Sequence, residues 1–229
     1  MTDRYDVIGH PRAHSKSPLI HSLFAEATGQ NLAYTAVESP LDGFAETVQA
    51  FRDGGGRGVN VTLPFKLQAF EIATDPMERA RMAGAANALK FEADRIWAEN
   101  FDGVGLARDI EENLGVALAG KRVLICGAGG ATRGAILPLA ACGPALLAVA
   151  NRTADTAHCL KLDFAAHVPL QTGGFEALAG ETFDVVINAT STGLSDAGLP
   201  LPPGLFGPGA LAYEMVYGKG LTPVLKQAR

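Results

Sequence analysis

An amide, a hydroxyl and an amine fall together in Asn60-Val61-Thr62-Leu63-Pro64-Phe65-Lys66. An ammonium can place positive charge and a proton beside a developing anion. Amide and hydroxyl groups can both donate and accept hydrogen bonds. The residues before them, Gly58-Val59-Asn60-Val61, read as the end of a strand. Pro64 biases Leu63 toward an extended backbone and suits the first turn of a following helix. A strand-to-helix turn of this kind belongs at the carboxyl end of a sheet, where open α/β folds bind ligands. Lys66 would then project into a cleft; the alternative is a solvated surface lysine.

A second constellation lies in Val123-Leu124-Ile125-Cys126-Gly127-Ala128-Gly129-Gly130-Ala131-Thr132-Arg133-Gly134, an apolar strand running through a glycine-rich turn into a helix. Glycines at Gly127, Gly129 and Gly130 would let backbone N–H groups approach a pyrophosphate, which a helix N-terminus stabilises. Thr132 stands where the dinucleotide fingerprint has Gly or Ala, a departure expected to loosen helix–strand packing. The next strand, Leu146–Ala150, ends in Asn151-Arg152-Thr153. An acidic residue here would accept from a ribose 2′-hydroxyl, whereas the guanidinium of Arg152 suits a 2′-phosphate, which points to NADP over NAD. Asp155 follows as a candidate helix cap. The strand Phe183–Asn188 leads to Ala189-Thr190-Ser191-Thr192-Gly193, whose hydroxyls either line the same cleft or satisfy a turn. A last strand, Ala210–Val216, places Tyr217 at another carboxyl end.

Elements that must position these groups can be read along the chain. Tyr5–Gly9 is strand-like, and Ser17-Pro18 reads as an N-cap with proline at the first helical position. The helix runs on to Gly29. A strand over Leu32–Val37 and an amphipathic helix over Leu41–Phe51 follow, the latter stopped by Gly54-Gly55-Gly56. Helices are expected near Lys66–Ala73 and Pro76–Met82, then a hairpin of Ala86–Phe91 and Arg95–Glu99. A helix over Asp102–Leu114 marks a boundary between domains 1–101 and 102–229. At 229 residues, 48% hydrophobic and 19% charged, the chain can build such cores. Net charge −5 and pI near 5.5 leave no footprint for nucleic acid or an anionic membrane. No apolar run is long enough to span a bilayer and no leader is evident, so a cytoplasmic location is expected. The three cysteines, Cys126, Cys142 and Cys159, show no paired spacing, so neither metal nor a disulfide framework is expected.

These motifs in this order resemble the shikimate dehydrogenase family over essentially the whole chain. His14-Ser15-Lys16-Ser17-Pro18 is similar to the family's substrate-binding Ser-x-Ser segment. Asn60–Lys66 matches its Asn-Val-Thr-x-Pro-x-Lys signature, Gly84-Ala85-Ala86-Asn87 its Gly-Ala-x-Asn, and Gly127–Ala131 its Gly-Ala-Gly-Gly-Ala. Asn100-x-Asp102-Gly103 and Asn151-Arg152-Thr153 also match. The resemblance implies an N-terminal α/β substrate domain followed by a Rossmann-type, doubly wound NADP domain. It implies Lys66 and Asp102 as a catalytic pair, with Ser15, Ser17, Thr62, Asn87 and Tyr217 around the substrate. NADP would be held by Gly127, Ala128, Gly129, Gly130, Ala131, Asn151, Arg152, Thr153, Thr190 and Met215. The implied reaction is reversible NADPH-dependent reduction of 3-dehydroshikimate to shikimate, in aromatic amino acid biosynthesis, by a monomer or homodimer.

The chemistry fits the residue types. Reduction of a ketone leaves an alkoxide, which Lys66 can neutralise and protonate, while Asp102 favours the charged ammonium. Ser17 as a helix cap, Asn87 as a turn residue and Asp102 as an N-cap remain compatible alternatives. Two departures from the family pattern are expected to matter. Glu214 stands where the family commonly has Asp, and Lys226-Gln227-Ala228-Arg229 ends the chain where a further helical segment would carry a glycine near the nicotinamide and a glutamine on the substrate. The rival readings are an inactive remnant that binds NADP or shikimate without turnover, and a dehydrogenase of quinate or a similar alcohol.

Overall fold

A computed structural model of the chain describes residues 2–10, 15–194, 198–216 and 220–229. The chain divides into two compact units, Met1–Phe101 and Asp102–Arg229.

In the first unit the strands are β1 (Asp3–Gly9), β2 (Leu32–Glu38), β3 (Gly56–Val61), β4 (Asp75–Pro76), β5 (Ala88–Glu92) and β6 (Arg95–Glu99). They form a six-stranded sheet in the order β2-β1-β3-β5-β6-β4. β1 runs parallel to both β2 and β3, and β5 turns back antiparallel on β3. Helices α1 (Ser17–Thr28), α2 (Phe44–Asp53), α3 (Lys66–Glu71) and α4 (Glu78–Ala83) connect the strands. The core gathers Ile8, Phe44, Val48, Val59, Val61 and Phe65. The rings of Phe44 and Phe65 stack at 4.9 Å. Burying Phe65 therefore anchors the start of α3, and with it the backbone of Lys66, through the hydrophobic effect. At Gly58 a Cβ would lie 2.6 Å from the Leu89 carbonyl oxygen, so only glycine lets β3 and β5 approach this closely.

Three local expectations change here. Ser17 is the first residue of α1, not its cap: Lys16 takes the cap position, and the Ser15 hydroxyl accepts the Ser17 N–H at 3.3 Å. Pro64 precedes α3 rather than opening it, lying in a turn with a cis Leu63–Pro64 peptide in which Phe65 N–H donates to Thr62 C=O. Pro76 joins the sheet opposite Ala98, so the following helix starts only at Glu78.

In the second unit β7 (Arg122–Cys126), β8 (Leu146–Ala150), β9 (Gln171–Gly173), β10 (Phe183–Asn188) and β11 (Phe206–Glu214) form a five-stranded sheet. Its order is β11-β10-β7-β8-β9 and every pairing is parallel. Helices α5 (Asp102–Arg108), α6 (Gly130–Ala141), α7 (Ala154–Asp163) and α8 (Pro223–Gln227) complete it. Alternate residues of β7 enter different cores, Val123 and Ile125 one, Leu124 and Cys126 another. A strand covered on both faces reads as a continuous apolar run, as Val123–Cys126 does. The strand order reverses between β7 and β10, which is the switch point where doubly wound sheets hold ligands. The expected helix over Asp102–Leu114 is α-helical only to Arg108 and continues as a π-helix over Asp109–Asn113. Among the described residues no helix is long and apolar enough to cross a membrane.

Candidate functional site

In the first unit the sheet's hydrogen bonds bring several candidate residues to one end. Thr62 follows β3, and its N–H donates to Ile8 C=O at 2.9 Å. Asn87 stands just before β5, where its carbonyl accepts from Val61 N–H at 2.8 Å. The Lys66 carbonyl accepts from Ala86 N–H, also at 2.8 Å. These backbone bonds, to Ile8, Val61 and Ala86 respectively, hold Thr62, Asn87 and Lys66 near the carboxyl end of β3, and all three are half-buried. A Cβ on Gly9 would come within 2.3 Å of Thr62 Cγ2, so a glycine ending β1 makes room for the threonine. Ser15 and Ser17 lie at the start of α1, which the chain reaches after leaving the carboxyl end of β1.

A layer of bracing residues supports this end of the sheet. Tyr34 Oη donates to Asn60 Oδ1 at 2.7 Å, and Asn60 Nδ2 donates to Asn87 C=O at 3.3 Å. Asn87 Oδ1 accepts from Phe101 N–H at 3.0 Å. Asn100, buried at 3% exposure, donates from Nδ2 to Ala85 C=O at 3.0 Å. Asn60 is therefore a brace for the Gly84–Asn87 segment, and Asn100 holds the same segment from the other side. The only sequence signal was their place inside two motifs.

Lys66 opens α3 in the first unit, and Asp102 opens α5 in the second.

The second unit assembles its glycine turn at the switch point. Gly127 has φ +108°, a conformation that favours glycine. Its N–H donates to Ala150 C=O at 2.8 Å, while Ala189 N–H donates to Cys126 C=O at 2.8 Å. A Cβ at Gly127 would sit 3.0 Å from Thr190 Cγ2. The ends of β7, β8 and β10 thus converge on this residue. At Gly129, the residue before α6, a Cβ would meet nothing within 4 Å among the described residues, so the turn is open on that side where the helix's first N–H groups begin. That open, positively polarised helix start fits a pyrophosphate.

Thr132, where the fingerprint has a small residue, adds a bond beneath the turn. It is fully buried and its Oγ1 donates to the Gly127 carbonyl at 2.9 Å, replacing the close packing of a small residue with a hydrogen bond. Arg152 is exposed and forms no ion pair or side-chain hydrogen bond among the described residues. Asn151 Nδ2 donates to Thr153 C=O at 3.0 Å, and Thr153, not Asp155, takes the cap position of α7. Thr190 donates through both its N–H and its hydroxyl to Asn188 Oδ1, and its hydroxyl lies 2.6 Å from that of Thr192. These bonds satisfy the turn after β10. Met215 N–H donates to Asn188 C=O at 3.0 Å. Glu214 Oε2 accepts from Asn188 Nδ2 at 2.9 Å and from the Thr222 hydroxyl at 2.8 Å, so the longer acid links the ends of β10 and β11 to α8. Tyr217 lies outside the described residues. Burial pushes the Cys126 thiol up to about 12, leaving it inert beneath the turn.

Comparison with known proteins agrees with this architecture. The profile of the shikimate dehydrogenase substrate binding domain matches residues 7–89, and that of shikimate/quinate 5-dehydrogenase matches residues 106–195. A shikimate dehydrogenase (NADP(+)) of Dechloromonas aromatica is 54% identical over 229 residues, covering 100% of this chain and 84% of that protein. The crystal structure of an Ael1 enzyme from Pseudomonas putida superposes with a TM-score of 0.88 at 55% identity, covering 99% of this chain and 83% of that one. Shikimate 5-dehydrogenase from Thermus thermophilus, crystallised with NADP(H) and shikimate, gives 0.85 at 31% identity, covering 99% and 84%. With this identity sustained along the chain, both domain profiles matched and both folds shared, the chain belongs to the shikimate dehydrogenase family.

Proposed function

We propose that this chain is an oxidoreductase that reversibly reduces 3-dehydroshikimate to shikimate with NADPH. The observation that carries this reading is 54% identity along the whole chain to an NADP-dependent shikimate dehydrogenase. In this reading residues 1–101 bind the substrate and residues 102–229 the dinucleotide. NADPH, when bound, supplies the hydride. Gly127, Ala128, Gly129, Gly130 and Ala131 hold its pyrophosphate with backbone N–H groups, and Asn151, Arg152 and Thr153 hold the 2′-phosphate. Thr190 and Met215 flank the nicotinamide half. Support for the pyrophosphate site comes from the open space at Gly129 before α6. Support for the phosphate site comes from an exposed Arg152 with no ion pair among the described residues.

Lys66 neutralises and protonates the oxygen that hydride addition leaves negative, a contribution of electrostatic and acid catalysis together. Asp102 is the acid of the pair and favours the ammonium form. The hydroxyls of Ser15 and Ser17 hold the substrate carboxylate, Asn87 and Asp102 suit the ring hydroxyls, and Thr62 and Tyr217 also surround the substrate. The reaction belongs to aromatic amino acid biosynthesis in the cytoplasm, a reducing compartment that suits free Cys126, Cys142 and Cys159.

The test is steady-state turnover followed by nicotinamide absorbance, with shikimate and quinate each paired with NADP and NAD. Fastest turnover with shikimate and NADP is expected. Faster turnover of quinate would move the substrate assignment to that alcohol. Folded protein that binds NADP yet turns over neither alcohol would be a binding remnant, and the enzymatic reading would fall.

A further inference from the structure

Helix α5 carries Asp102 as its first residue and Gly103 as its second, and it packs on α6, the helix that begins at the glycine turn. Their contact is unusually close. A Cβ built on Gly103 would lie 2.1 Å from the Gly134 carbonyl oxygen, 2.7 Å from Pro138 Cγ and 2.8 Å from Ala135 Cα. Two of these neighbours are backbone atoms of α6, so no side-chain rotation could relieve the clash. Gly103 is buried.

The carbonyl at this contact has a particular status. Pro138 lies inside α6 and has no N–H to return to the residue four positions earlier, which is Gly134. The Gly134 oxygen thus lacks its regular intrahelical donor. A Gly103 Cα–H, in the direction where a side chain would begin, points at that oxygen, the geometry of a weak C–H···O contact that recurs where helices cross closely. The other end of the segment is tied by Tyr213 Oη, which donates to Asp109 Oδ2 at 2.7 Å in the π-helical turn after Arg108. Between these two anchors, a Cβ placed on Gly105 would have no described residue within 4 Å.

We propose that Gly103 is a positioning residue: seated on the carbonyl that Pro138 deprives of its regular helical donor, it sets Asp102 against the helix whose first turn receives the dinucleotide. This rests on the assignment of Asp102 to catalysis. A methyl group at residue 103 would push α5 away from α6 and carry Asp102 with it, while the glycine turn, held by the β7, β8 and β10 bonds, stays in place. Misplacement of a catalytic group on the ångström scale costs turnover steeply.

The experiment compares Gly103→Ala, Gly105→Ala and Asp102→Asn for fold by circular dichroism, NADP affinity by titration, and kcat, KM and pH profile with shikimate. Gly103→Ala is expected to keep NADP affinity and lose kcat by about 10–100-fold, with an altered pH profile. Gly105→Ala, on the same helix, is expected to keep both the rate and the profile. Wild-type turnover in Gly103→Ala beside an impaired Asp102→Asn would overturn the positioning role alone. Full turnover in Asp102→Asn would overturn the catalytic assignment and the positioning role together. If Gly103→Ala does not fold, Tyr213→Phe loosens the other anchor of the segment. A lowered kcat with retained NADP affinity supports the proposal, and an unchanged kcat and pH profile overturns it.

Discussion

Tyr213 Oη donates to Asp109 Oδ2 across 2.7 Å, tying edge strand β11 to the π-helical turn that follows α5. Burial, and then the neighbouring Asp109 carboxylate, pushes the Tyr213 hydroxyl up to about 12, above the roughly 10 of an unfolded chain. The folded protein therefore holds this proton more tightly than the unfolded chain. Its contribution to stability is complete below pH about 10 and is lost as pH rises toward about 12. Tyr213→Phe should lower the unfolding free energy by about 1 kcal/mol near neutrality, and the gap from wild type should narrow above pH about 10. Denaturant unfolding at neutral and alkaline pH checks this. A gap that stays constant across the range would contradict the linkage.

The Thr132 hydroxyl and the Gly127 carbonyl form a buried bond at the base of the dinucleotide turn. Thr132→Val keeps the shape and removes the donor, leaving the carbonyl unpaired. The expected loss is about 1–3 kcal/mol of stability, accompanied by weaker NADP binding because Gly127 is no longer held from beneath. Thr132→Ser, which keeps the hydroxyl, should retain most of both. Thermal unfolding with and without NADP distinguishes the outcomes, and a valine variant with wild-type affinity would remove Thr132 from any role in shaping the turn.

How far the molecule was legible depended on whether each signal was local. The strand before the glycine turn announced itself because Val123–Cys126 is apolar on both faces, and the α1 terminus because Gly29 stops the helix in a left-handed conformation. Both are properties of a few consecutive residues. β9 leaves no sequence signal, because Gln171–Gly173 is too short for any periodicity and is held as a strand through pairing with β8. The α1 cap falls on Lys16, which makes no side-chain cap bond, while the Ser15 hydroxyl accepts from the Ser17 N–H; residue type and spacing do not decide between such neighbouring starts. The Thr132 hydrogen bond is not legible in the sequence, because its partner is supplied by the bend of the turn and not by the pattern of residue types. The bracing roles of Tyr34, Asn60 and Asn100 are not legible for the same reason: each acts through a bond to a distant segment.

Arg152 follows β8, exposed and without an ion pair among the described residues. A charge-assisted bond to a phosphate is stronger than one between neutral groups. Arg152→Ala should therefore raise KM for NADP by about tenfold, equivalent to about 1.4 kcal/mol, and leave KM for NAD nearly unchanged. Arg152→Asp should go further and reverse the preference, since the carboxylate repels a 2′-phosphate and accepts from a 2′-hydroxyl. Equal losses with both cofactors in the alanine variant would show that Arg152 supports the fold of this edge and does not read the phosphate.

Lys66 opens α3 with its neighbour Phe65 buried against Phe44, so the backbone that carries the ammonium is fixed by packing. Removing the side chain should spare the fold while removing both the positive charge and the proton. Lys66→Ala is expected to lower kcat by about 10²–10⁴-fold, with KM for shikimate changing far less. Lys66→Arg separates the two contributions, because a guanidinium keeps the charge but does not give up its proton in a protein. If charge alone stabilises the developing oxyanion, arginine restores most of the rate. If proton delivery is the larger part, arginine stays near the alanine level, and the reducing direction suffers at least as much as the oxidising one. Full turnover in Lys66→Ala would exclude the lysine from the reaction altogether.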